Sequence, residues 1–158
     1  MKSNFVRICM VLALCAAASP ISLQAQQGHT LKGVWDVTVT VTNCQTGALI
    51  RIVRSLQQFR PDGTTLETAN TASRGISEGV YSSAGDHSYN ASYWFFRYKP
   101  DGTFASIARI SDLITLGDDN TFTSAGTVLD FDGTGALIST GCFVHSATRL
   151  TLPDQVSN

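Results

Sequence analysis

Three histidines are the natural place to look for acid–base chemistry near neutral pH, and they lie at positions 29, 87 and 145. His29 precedes the patterned part of the chain, and His87 sits beside a turn. His145 is different, because in Phe143-Val144-His145 it shares a phase with Phe143 and Arg149, so that a strand there can point it inward. A strand histidine is most often simply hydrogen-bonded, and no serine, aspartate and histidine fall together as a nucleophilic set, so no catalytic residue is assigned. No two histidines are spaced for a metal. Asp130-Phe131-Asp132-Gly133-Thr134-Gly135 has the outline of a calcium loop but lacks its third oxygen ligand and its closing glutamate, and it reads as a hairpin turn. The expectation is therefore no metal and no cofactor. Glu67 and Glu78 are the two glutamates. Either can serve as acid or base if turned inward, though Glu67 lies on a polar strand and Glu78 by a loop.

The densest chemistry-bearing stretch is aromatic: Tyr89, Tyr93, Trp94, Phe95, Phe96 and Tyr98. Strict alternation puts Tyr89, Tyr93, Phe95 and Arg97 on one face and Trp94, Phe96 and Tyr98 on the other. Both faces are too apolar to be fully wet. One arrangement is ordinary core with one large exposed patch. The other is an aromatic-walled pocket in which Tyr93, Arg97, His145 and Arg54 orient a small ligand, with Tyr89 and Phe95 as walls.

Such residues need a scaffold, and the stretch from Gly33 to Asn43 supplies its first piece. Trp35, Val37, Val39 and Val41 alternate with Asp36, Thr38, Thr40 and Thr42, which predicts a half-buried strand. Further strands are expected over 48–59, 64–71, 79–83, 88–98, 104–116, 121–131 and 136–152, with 72–78 the least structured interior piece. Arg60-Pro61-Asp62-Gly63 and Lys99-Pro100-Asp101-Gly102 are near copies and predict tight turns, with turn aspartates bonding their own backbone. No sustained helical period follows residue 30. Eight strands joined by short turns predict an all-β chain, folded as an eight-stranded antiparallel up-and-down barrel because closure removes exposed edges.

The chain starts with Lys2 and Arg7, an apolar run from Ile8 to Ala18, Pro20 and then Leu23-Gln24-Ala25, the layout of a signal peptide over residues 1–25. The barrel is assigned to 26–152 and a tail to 153–158. Without Lys2 and Arg7, nine basic residues face twelve acidic ones, so the mature chain carries −3, and no basic patch suits nucleic acid. No second apolar run of membrane length follows. The implied destination is export, to a periplasm or to the outside. Cleavage also removes Cys9 and Cys15, leaving Cys44 at the end of the first strand and Cys142 in the last. In an oxidising compartment their default is one disulfide across the seam, two buried thiols being the alternative.

Gly33-Val34-Trp35 at the mouth of the first strand resembles the Gly-x-Trp motif of the calycin superfamily, which includes the lipocalins, and Arg149 in the last strand is placed like the basic residue that packs on that tryptophan. The chain is also similar in style to small exported bacterial proteins carrying Gly-x-Trp, then Cys-x-Thr-Gly, then Asp-Gly-Thr, a group with no common assigned activity. The lipocalin Thr-Asp-Tyr signature and a C-terminal helix are missing. The resemblance implies a calycin/lipocalin-like barrel with Trp35 against Arg149, and ligand binding as a family tendency. The leading functional expectation is thus a non-enzymatic carrier of a small apolar or amphipathic ligand in the lumen. The alternatives are a barrel enzyme of cyclase or isomerase type, using Tyr93, Arg97 or Glu67, and an envelope interaction module with a filled core.

Overall fold

A computed structural model describes residues 30–152. The expected signal peptide, the tail at 153–158 and His29 lie outside the described residues. Within them the chain makes eight strands: β1 (Gly33–Thr42), β2 (Leu49–Phe59), β3 (Thr64–Ala69), β4 (Ser77–Gly85), β5 (Ser88–Tyr98), β6 (Phe104–Leu116), β7 (Thr121–Phe131) and β8 (Leu137–Arg149). Each pairs antiparallel with its neighbour in sequence, and β1 pairs with β8 from Trp35↔Arg149 to Thr42↔Cys142, which closes the barrel. No helix long and apolar enough to cross a membrane occurs among the described residues.

Four of the hairpin turns share one device. Asp62, Asp101, Asp119 and Asp132 each accept a hydrogen bond through Oδ1 from the hydroxyl of the threonine two residues on, at 2.5–2.7 Å. In three of them the same oxygen also takes that threonine's backbone N–H. These bonds hold all four carboxyls below the ordinary value of 3.8. Of the stretch from Asp130 to Gly135, Asp130 and Phe131 close β7 and Asp132 to Gly135 form one of these turns, between β7 and β8.

One end of the barrel is packed shut. Trp35 and Phe122 meet edge-on at 4.9 Å, Phe122 meets Phe59 at 6.1 Å, and Phe59 meets Tyr81 at 5.1 Å. Leu31 folds beneath them, fully buried, and its carbonyl accepts the indole N–H at 2.8 Å. Arg149 lies across the Trp35 ring, with its guanidinium carbon 4.2 Å from the ring centre. Its Nε donates to Asn120 Oδ1, and its two terminal nitrogens donate to the carbonyls of Lys32 and Thr30. Gly33 explains the first letter of the Gly-x-Trp motif: a Cβ there would stand 2.7 Å from Arg149 Nη1, and its φ of +132° suits glycine alone. The seam carries a second tie, because Cys44 and Cys142 sit at disulfide-bonding distance with Cα atoms 5.1 Å apart.

The segment expected to be least structured is shorter than read. Ser77 and Glu78 already belong to β4, and Arg74 makes an isolated bridge to Arg97 on β5. The last strand ends at Arg149 rather than 152, with one further bond to β1 from Leu150 N–H to the Val34 carbonyl.

Candidate ligand-binding site

A cavity of about 270 Å³ occupies the other half of the lumen. It reaches residues beside the β1–β2, β3–β4 and β7–β8 connections: Ile50 and Arg51, Thr71, and Ser139 with Thr140. Its apolar wall comes from every second residue of several strands, as Val39, Val53, Phe95, Ile110, Val128 and Phe143. Set into that wall are Glu67, Arg74, Arg97, Asp130, Tyr93 and His145.

Four of these groups form two ion pairs. Arg74, from the β3–β4 connection, donates through Nη2 to Glu67 Oε2 at 2.5 Å and also to Ser77 Oγ. Ser77 in turn donates to Glu67 at 3.0 Å. On the other side Arg97 Nε donates to Asp130 Oδ1 at 2.6 Å, and the hydroxyls of Ser106 and Ser139 also donate to that carboxylate. Phe95 lies between the two pairs: the guanidinium carbons of Arg74 and Arg97 stand 3.7 Å and 4.9 Å from its ring centre. The Tyr93 phenol is pushed well above its ordinary value, first by burial and then by the charges of Glu67 and Asp112, and so stays a proton donor. Deeper, His145 Nδ1 faces Asp112 Oδ2 at 3.2 Å, and Phe143 stacks on the imidazole with ring centres 4.5 Å apart.

Four of the six residues expected at a ligand site therefore come together: Tyr93, Phe95, Arg97 and His145. The other two stand elsewhere. Tyr89 is on the same side of β5 but towards the closed end, 6.2 Å from the Tyr81 ring. Arg54 points outward from β2, between inward Val53 and Ser55, and pairs with Asp36 at 2.5 Å on the surface. Trp94 and Phe96 face outward, beside Phe131 and Phe104 respectively, so the aromatic strand supplies both a lumen wall and an exposed apolar patch. Glu67, read on a polar strand, is buried and ion-paired.

Sequence reasoning passed over Arg74, Asp112 and Asp130. Asp112 did leave a signal, as a carboxylate in phase with Ala108, Ile110 and Ile114 in the middle of a long strand. Asp130 was credited to a turn, although it ends the inward phase of Ser124 and Val128. Arg74 left none, because its position comes from a connection.

The class defined by these features is a closed, eight-stranded antiparallel barrel, consistent with a calycin-like fold, with one plugged end and one hollow end. A scan against protein-family models found no match, and neither a curated protein nor a solved structure matches the chain.

Proposed function

We propose that this protein is an exported barrel that holds one small amphipathic molecule in the hollow half of its lumen. The observation that carries the reading is the cavity of about 270 Å³ with apolar walls and four paired charges set into them. Its volume lies just below the ~300–1,000 Å³ typical of small-molecule sites, which limits the guest to a small one. At ~30 Å³ per water-sized group it has room for about nine such groups. A purely apolar guest would lie against the Glu67–Arg74 and Arg97–Asp130 pairs with no polar group of its own, which favours a guest with a polar end. Export is supported by the amino-terminal sequence pattern and by the paired cysteines.

Native mass spectrometry of protein purified from its own host tests this directly. The expected spectrum contains a second species heavier by one small molecule, and that species disappears in Val128→Trp, which fills the cavity from β7. Ligand-free protein alone, together with failure to take up any small amphiphile in solution, would overturn the proposal.

A further inference from the structure

We propose that Asp112 and His145 form a proton-transfer dyad for the cavity, in which His145 Nε2 removes an acidic C–H proton from a small, flat carbon acid bound there. Asp112 is then a positioning residue, holding the imidazole with its proton on Nδ1. The inference rests on the lumen being a ligand site and adds chemistry to it.

The first support is placement. His145 lines the cavity, whereas Asp112 does not, and it is Nδ1 of the ring that faces the carboxylate. Phe143, stacked on the ring at 28° between planes, fixes its tilt. A base turned to the site and a carboxylate behind it is the arrangement that positions an imidazole for proton abstraction.

The second support is how the pair is brought together. Asp112 is on β6 and His145 on β8, with β7 between them. The register runs Asp112↔Gly126↔Phe143, and Gly126 takes the inward position on β7. A Cβ at Gly126 would stand 2.5 Å from the Phe143 ring and 3.1 Å from Asp112 Cα. The nearest atom to it would be the Ser111 carbonyl oxygen, at 2.2 Å, so glycine is what lets the β6 backbone and the Phe143 ring lie against β7 at this point.

The third is cost. The Asp112 and His145 side chains are 0% and 2% exposed, and neither the Asp112 oxygens nor His145 Nδ1 makes a well-aligned hydrogen bond among the described residues. A carboxylate held this way opposes folding, and an apolar pair would fill the space more stably. Poor alignment in the absence of substrate is common for catalytic pairs.

The step balances without a cofactor. His145 Nε2 takes the proton, the C–H electron pair becomes a new π bond, and the displaced carbonyl π pair goes to oxygen as an enolate. The Tyr93 hydroxyl, on β5 opposite Ile110 and two residues from Asp112 along β6, supplies a hydrogen bond for that oxygen. Where the carbon acid is a β,γ-unsaturated carbonyl compound the enolate is a dienolate, and return of the proton from His145 Nε2 to its γ carbon, with the oxygen pair re-forming the carbonyl, completes an isomerisation.

The test uses 5-nitrobenzisoxazole, whose ring opens when a base takes its C3 proton. The C–H pair becomes part of a nitrile, the N–O bond breaks, and a coloured cyanonitrophenolate leaves. The expected result is saturable turnover roughly 10²–10⁴-fold above free imidazole. It should be lost in His145→Gln, unchanged in His87→Gln, and lowered at least tenfold in kcat with KM unchanged in Asp112→Asn. Nitrogen-15 spectra of the wild-type protein should place the His145 proton on Nδ1, and Asp112→Asn should release it to a mixture of tautomers. A wild-type proton on Nε2, or turnover that survives His145→Gln, overturns the dyad. Probe that binds (methyl shifts at Val39 and Val128) without turning over overturns the dyad and leaves the binding reading standing. Absence of both binding and turnover overturns both.

Discussion

Removing one partner of the Glu67–Arg74 pair should damage the barrel far more than removing both. The two side chains are 3% and 10% exposed, so each single change strands a charge inside the lumen. Stranding a buried ion costs about 3–5 kcal/mol, a large part of the ~5–15 kcal/mol that holds a domain folded. Glu67→Gln belongs at the lower end, because Arg74 keeps Ser77 Oγ and the face of Phe95. Arg74→Met belongs at the upper end, since it also removes the ring contact and leaves Glu67 with the Ser77 hydroxyl alone. The double variant carries neither ion and should lie within about 2 kcal/mol of the parent. Urea unfolding followed by circular dichroism reads all four corners of the cycle. Arg54–Asp36 is the internal control, with the same 2.5 Å separation but side chains 56% and 38% exposed, and it should be worth ~0–1 kcal/mol. Additive single changes at Glu67 and Arg74, each no larger than the surface control, would refute the idea that these charges are held by each other rather than by water.

The Cys44–Cys142 tie spans 98 residues, and by chain entropy its loss in a double serine variant should cost up to about 4–5 kcal/mol, seen as a lower urea midpoint without reductant and no difference with it. Arg149→Lys cannot reproduce the fork that reaches Asn120 and the Lys32 and Thr30 carbonyls, so it should destabilise by roughly 1–3 kcal/mol and shift the emission of Trp35. The four turn aspartates have folded values below 3.8, so their stabilisation is present above that value and fades as pH falls through the lower folded ones. Melting temperature should therefore drop between pH 4 and 2, and replacing all four with asparagine should flatten that drop.

How far the sequence could be read depends on what each strand puts inside. β1 was legible because its inward residues are apolar and its outward ones polar, and the tight Asp-Gly turns marked the hairpins. β2 was not, because its phase is reversed in chemistry. Ser55 and Gln57 face the lumen while Ile50, Ile52 and Leu56 are more than half exposed. Arg54 was placed at the site for that reason: hydrophobicity gave no way to tell its face. The aromatic strand was split correctly into faces, and the closed-end pair of Trp35 and Arg149 was implied by the resemblance that Gly33-Val34-Trp35 carries. The ionic partners were out of reach, since Glu67–Arg74, Arg97–Asp130 and Asp112–His145 join residues 7, 33 and 33 positions apart through the closed sheet, with no local period to announce them.

The two halves of the lumen answer different physical demands. At the closed end, Leu31, Trp35, Phe59 and Phe122 exclude water, and Arg149 finds a partner for each nitrogen that reaches backbone or Asn120. That end behaves as an ordinary core. At the hollow end three carboxylates are buried where valine or leucine would fold more easily, around a space that apolar side chains could have filled. A barrel selected only to be stable would extend its aromatic plug along the whole axis. Gly126 adds to the contrast, because an inward position on β7 carries no side chain where the Ser111 carbonyl and the Phe143 ring come close. Stability has been given up at the hollow end, which is what the proposed binding of a guest there requires of it.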